Sequence, residues 1–182
     1  MSLIFPPHWR ATVAFLATLV FLSAPAKSQN SSPTNPIELL PSEGKILGKA
    51  KIDHDLNNIE VIGSWRDPDG CIKWSASFPS QGIYDAFLQY SEADAKQGSL
   101  MELAVGNQGL QARLEYTFDW ENPCYHYLGQ VQVSQAGVVP VNLRVLEKRG
   151  TWVASIRLIR FCRSKATEME DPPHDATHPA VP

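Results

Sequence analysis

The chain has 182 residues, with 16 Lys and Arg against 19 Asp and Glu. Fourteen of those bases and all of the acids lie after residue 28, so the remainder is acidic with scattered cations. That balance offers no surface for tracking phosphates and argues against a nucleic-acid partner. The length suits one domain with its own core.

Residues 1–28 read as a signal peptide. A positively charged start through Arg10 leads into an apolar run from Ala11 to Leu22, and small residues then prepare a cut after Ser28. The apolar run is shorter than the ~20 residues that span a bilayer, and no later stretch is long enough either. The expected location is therefore secreted or periplasmic. Residues 29–36 form a Ser-, Asn- and Pro-rich leader, and residues 163–182, with four prolines and no apolar period, read as a disordered tail.

Between these lies a domain over residues 37–162 that reads as strand after strand. The predicted strands are Lys45–Ile52, Ile59–Ile62, Cys71–Phe78, Ile83–Ser91, Leu100–Val105, Leu110–Tyr116, Tyr127–Ser134, Val138–Glu147 and Trp152–Phe161. The clearest is Cys71–Phe78, where Ile72, Trp74, Ala76 and Phe78 alternate with Lys73, Ser75 and Ser77. About nine short strands and no convincing helix predict an all-β antiparallel sandwich.

If each connection reverses the chain, alternate connections fall at opposite ends. Residues 53–58, 79–82, 106–109 and 135–137 share one end and are short. Residues 63–70, 92–99, 117–126 and 148–151 share the other, and three of these four are long. Long loops gathered on one end of a rigid scaffold are where such folds place function. That end carries Trp65, Trp120, Tyr125 and Trp152 beside Asp67, Asp69, Asp119, Glu121, Asn122 and His126. Flat rings beside short polar side chains suit a sugar, whose C–H face stacks while its hydroxyls take directed hydrogen bonds. The competing reading has the tryptophans plugging the open end of the core.

Three cysteines leave one unpaired. Cys71 and Cys124 fall at the long-loop end and Cys162 at the other, so a Cys71–Cys124 disulfide with Cys162 free is expected in an exported chain. No hydrolase elbow, phosphate loop or zinc-protease motif occurs, so no catalytic residues are assigned. His54 and His126 are predicted at opposite ends. Asp67 and Asp69, with backbone carbonyls, offer ligands for a Ca²⁺ ion, but Asp67-Pro68-Asp69-Gly70 also closes as a turn without one, so Ca²⁺ stays open and no other cofactor is assigned.

Two runs of residues resemble a known family. They are Ile62-Gly63-Ser64-Trp65 with Asp67-Pro68-Asp69, Ile72-Lys73-Trp74, Gly82-Ile83-Tyr84 and Leu88-Gln89-Tyr90, and then Thr117-Phe118-Asp119-Trp120, Leu128-Gly129-Gln130-Val131, Gly137 and Ile156-Arg157-Leu158. The order is similar to that of the galactose-binding-like modules of the family 6 and 35 carbohydrate-binding type, as appended to secreted bacterial fucosidases and sulfatases. The resemblance implies a jelly-roll sandwich, non-catalytic glycan recognition by loop aromatics and, as partner, a secreted glycoside hydrolase or sulfatase. It also implies a structural Ca²⁺ held by an N-terminal Glu-x-Glu, but here Glu38 is followed by Leu39-Leu40. The expected ligand-binding residues are Trp65, Asp67, Asp119, Trp120, Glu121, Tyr125 and His126. The alternative is a cell-envelope module whose same end meets another protein.

Overall fold

A computed structural model describes residues 35–94 and 98–165. The expected signal peptide, nearly all of the leader and the tail from residue 166 lie outside the described residues. Eleven strands form among the described residues, rather than nine: β1 (Ile37–Leu39), β2 (Lys45–Leu47), β3 (Lys51–His54), β4 (Glu60–Gly63), β5 (Cys71–Phe78), β6 (Gly82–Ser91), β7 (Leu100–Val105), β8 (Gln108–Arg113), β9 (Cys124–Val133), β10 (Gly137–Glu147) and β11 (Ser155–Arg163). One 3₁₀ turn spans Pro41–Glu43. No helix among the described residues is long and apolar enough to cross a membrane.

Two antiparallel sheets pack face to face. One is ordered β3-β4-β11-β6-β9, with β1 also paired to β11, and the other β2-β5-β10-β7-β8. Alternation decides which side chains meet between them. From β5 come Ile72, Trp74, Ala76 and Phe78, from β6 Tyr84, Ala86, Leu88 and Tyr90, and from β10 Val141, Leu143 and Val145. Phe78 sets its ring edge against Tyr84 and Phe161, with centroids 4.9 and 5.3 Å apart. Trp74 is core, and its indole N–H donates to the Leu40 carbonyl at 2.8 Å. A buried indole without such a partner would leave a polar group unmet.

The expected single strand over 45–52 divides at Gly48. This residue takes φ +117°, and a Cβ there would meet the Gly70 Cα at 2.8 Å. The chain therefore leaves one sheet as β2 and enters the other as β3. From there the registers bear out the alternating topology. Ser91, Cys124 and Ser155 lie level at one end of their sheet, and Gly82 and Val133 at the other. Connections 64–70, 114–123 and 148–154 gather at the first end with Glu92 and Ser99.

Candidate functional site

Trp65 anchors that end. It is fully buried, its indole N–H donates to the Asp67 carbonyl at 2.8 Å, and its own carbonyl accepts from Val153 N–H at 2.8 Å. The ligand-stacking role expected of Trp65 is therefore corrected. Residue 65 precedes β5 in a loop with no alternating phase, so its burial was not readable from period. The Asp67 carboxylate is likewise spent on its own turn, accepting from Asp69 N–H at 3.0 Å.

What Trp65 does is hold its neighbours. Trp152 precedes Val153, and its backbone N–H donates to the Asp94 carboxylate at 2.9 Å; the Thr151 N–H donates to the same carboxylate. The Arg66 guanidinium lies 3.6 Å over the Trp152 ring. Three connections thus fix one indole.

Trp120 is positioned separately, by the 114–123 connection. Buried Tyr90 accepts the Glu115 N–H at 2.6 Å, and Thr117 N–H donates to the Glu92 carbonyl at 2.7 Å. Burial pushes the Tyr90 phenol above its ordinary value. Asp119 then closes a turn around Trp120, accepting from Glu121 N–H at 3.0 Å and from the Asn122 N–H and Nδ2 at 2.7 Å each. Those bonds, Asn122's side chain first, hold the Asp119 carboxyl below its usual range.

A partly buried ion pair brings this loop to the sheet. Arg157, at a bulge in β11, pairs with Asp55 and donates to the Glu121 carbonyl at 3.3 Å. Asp55 also accepts from Asn57 and Ile59 N–H at 2.9 Å each, closing the β3–β4 turn. The Ile59 amide is the largest influence lowering the Asp55 carboxyl, and Arg157 adds to it against burial.

Between these parts lies a cleft of about 450 Å³. Trp120 and Glu121 line one part, Trp152, Ala154 and Ser155 another, and Asp53, His54, Asp55 and Leu56 a third; Val61, Gly63 and Ser64 complete it. Of the residues singled out from the sequence, the structure brings Trp120 and Glu121 together here, next to Trp152, and gives Asp119 a supporting turn. Tyr125 and His126 are elsewhere. Strand β9 begins at Cys124, three residues earlier than expected, so the pair alternates. Tyr125 faces outward, 46% exposed, with the Arg160 guanidinium 4.8 Å from its ring centre, and His126 turns toward Tyr90.

Sequence reasoning missed Asp53, His54, Asp55, Ser155 and Arg157. His54 was set at the end opposite the long loops. Yet β3 has only four residues, about 13 Å at the usual rise, so the Trp120 loop reaches its far end. The available signal was Asp55-Leu56-Asn57-Asn58, a turn beside a short strand.

The expected Cys71–Cys124 disulfide is not formed, and Cys71, Cys124 and Cys162 are all free. Cys71 shares the outer face of β5 with Lys73, whereas Cys124 packs against the core from the other sheet. Both cysteines begin strands at the long-loop end, but their side chains point to different sides of the sandwich. Hydrogen bonds take the place of that bridge in fixing the Trp120 loop. Calcium at the N-terminal position does not fit these residues. Glu38 pairs with Arg160 at 2.6 Å, and no three metal-ligating side chains converge among the described residues.

An open antiparallel β-sandwich with an aromatic cleft built by its inter-strand loops defines the class of this protein. The fold is that of the family 35 and family 6 carbohydrate-binding modules. The chain is similar to a family 35 carbohydrate-binding module from Clostridium thermocellum, with a TM-score of 0.61 and 13% identity over 71% of this chain and 98% of that one. It is similar to the C-terminal CBM6 of a marine laminarinase from Zobellia galactanivorans, with a TM-score of 0.58 and 19% identity over 71% of this chain and 100% of that one. It also matches 29% of a GH26-CBM35 β-(1,4)-mannanase of Podospora anserina, using 77% of its own length, at a TM-score of 0.57 and 16% identity. No family model matches the sequence, and no curated protein matches it.

Proposed function

We propose that this protein is a non-catalytic glycan-binding module that seats a sugar in the cleft between Trp120 and Trp152. The observation that carries this reading is the pairing of two indoles with polar side chains in one cavity. Trp120 stays 37% exposed although its loop is fixed on both sides. A preformed aromatic wall loses little freedom on binding, and a pyranose offers it a C–H face. Glu121, Asp53, His54 and Ser155 supply hydrogen-bonding groups around it. The carbohydrate-binding modules of the same fold support the reading.

The chain in this proposal acts outside the cytosol, after cleavage of residues 1–28, and brings an exported glycoside hydrolase or sulfatase to its polymer. The mannanase of Podospora anserina, in which this fold accompanies a hydrolase, supports that partnership. A glycan array tests the central claim. The wild-type protein is expected to bind at least one glycan, and Trp120→Ala and Trp152→Ala are expected to lose it while keeping the β-sheet circular dichroism. Unchanged binding in both variants would remove the cleft from the account.

A further inference from the structure

We infer that the cleft selects glycans carrying free amino groups, such as 2-amino-2-deoxy sugar units, over neutral, uronic or sulfated ones. This rests on the glycan-binding reading above and concerns the charge of the ligand.

Three carboxylates line the cleft, from Asp53, Asp55 and Glu121, and no Lys or Arg does. Only one of the three is neutralised. Arg157 reaches Asp55 from β11, and its remaining contact is the Glu121 backbone carbonyl, not the Glu121 carboxylate. Asp53 accepts only the amide of the next residue, His54, at 2.9 Å. Neither Asp53 nor Glu121 has an ion-pair partner among the described residues. The other nearby cation, Arg66, lies against the Trp152 ring.

A sugar between Trp120 and Trp152 therefore meets uncompensated negative charge beside aromatic faces. Both features favour an ammonium, the carboxylates by direct pairing and the Trp120 indole through its ring quadrupole, while the Trp152 ring already carries Arg66. A uronate or sulfate meets like charge at the same positions, which is a device for rejecting the wrong ligand. An N-acetylated unit has the same ring but no charge, and so isolates the electrostatic part.

The test is calorimetric titration of the full chain with three probes: glucosamine oligomers, their N-acetylated counterparts and oligogalacturonate. Glucosamine oligomers are expected to bind roughly ten-fold tighter than the N-acetylated ones, with a preference that shrinks as salt rises, and oligogalacturonate not at all. Asp53→Asn and Glu121→Gln, both on exposed side chains, should each erode that preference without altering the fold. Trp120→Ala keeps every charge and should lose binding. If it retains the glucosamine oligomer, the attraction is diffuse and the proposal fails. Equal or tighter binding of the N-acetylated probe also overturns the charge selection, while leaving the glycan-binding reading standing. Binding of none of the probes, with a blank glycan array, overturns both.

Discussion

Two concave regions of the sandwich differ in what lines them. The Trp120–Trp152 cleft holds two indoles, a histidine and three carboxylates. The smaller hollow at the other end, about 280 Å³, lies between the 106–107 and 134–136 connections. It is lined by valines, glycines and amides, without a single aromatic ring. Two of its residues also satisfy each other, because the Gln108 side chain exchanges hydrogen bonds of 2.7 and 2.8 Å with the Gln132 backbone. Shape alone does not make a site. What separates the two is a flat apolar wall beside polar groups that still have capacity to bond, and both indoles of that wall come from connections of seven residues or more.

The largest effect is expected from Trp65→Ala, which removes the anchor beneath the cleft. Emptying a fully buried tryptophan site costs about 3–5 kcal/mol. Chemical denaturation should show that loss, and glycan affinity should fall with it because Val153 and Trp152 lose their support. Arg157→Met comes next. It unties the Trp120 loop from the β3–β4 turn, and titration should show affinity reduced by about ten-fold while the core strands persist in hydrogen exchange.

A pH series is expected to be gentler. Asp55 and Asp119 both have folded-state carboxyls below their ordinary value of 3.8. Carboxyls lowered by folding contribute stability that is fully present above the unfolded value and is lost as pH falls through the folded one. The denaturation midpoint should thus hold steady through neutral pH and decline on the acid side as Asp55 and Asp119, and Glu102 and Glu147 with them, take up protons, and Asp119→Ala should flatten part of that decline. The smallest effect belongs to the other hollow. Gln108→Ala should cost about 0.5–1.5 kcal/mol in stability and leave glycan affinity unchanged. A loss of affinity there would erase the distinction between the two regions.

The sequence pattern reads well where a strand has one buried face. Residues 71–78, 100–105 and 138–147 alternate cleanly, and their registers follow. It reads poorly where a strand is too short to show a period, as with Ile37–Leu39, or where one residue switches sheets, as at Gly48. The end bearing the long loops was legible from connection lengths alone. Which of its side chains face outward was not. Trp65 and Trp120 look alike in a loop, and only Val153 and Asp67 closing on Trp65 decide between them. The Asp55–Arg157 pair joins residues 102 apart in sequence, a separation at which no local pattern reports contact.

The Gln108 amide has a further consequence. Strands β8 and β9 are the outermost members of their respective sheets. On β9, the N–H and C=O of Gln132 are the groups to which a strand from another molecule would attach. One side chain from β8 occupies both of them, with the geometry of a neighbouring peptide unit. The molecule thus caps its own border at that point, and the protection against intermolecular sheet growth costs one glutamine rather than an extra strand.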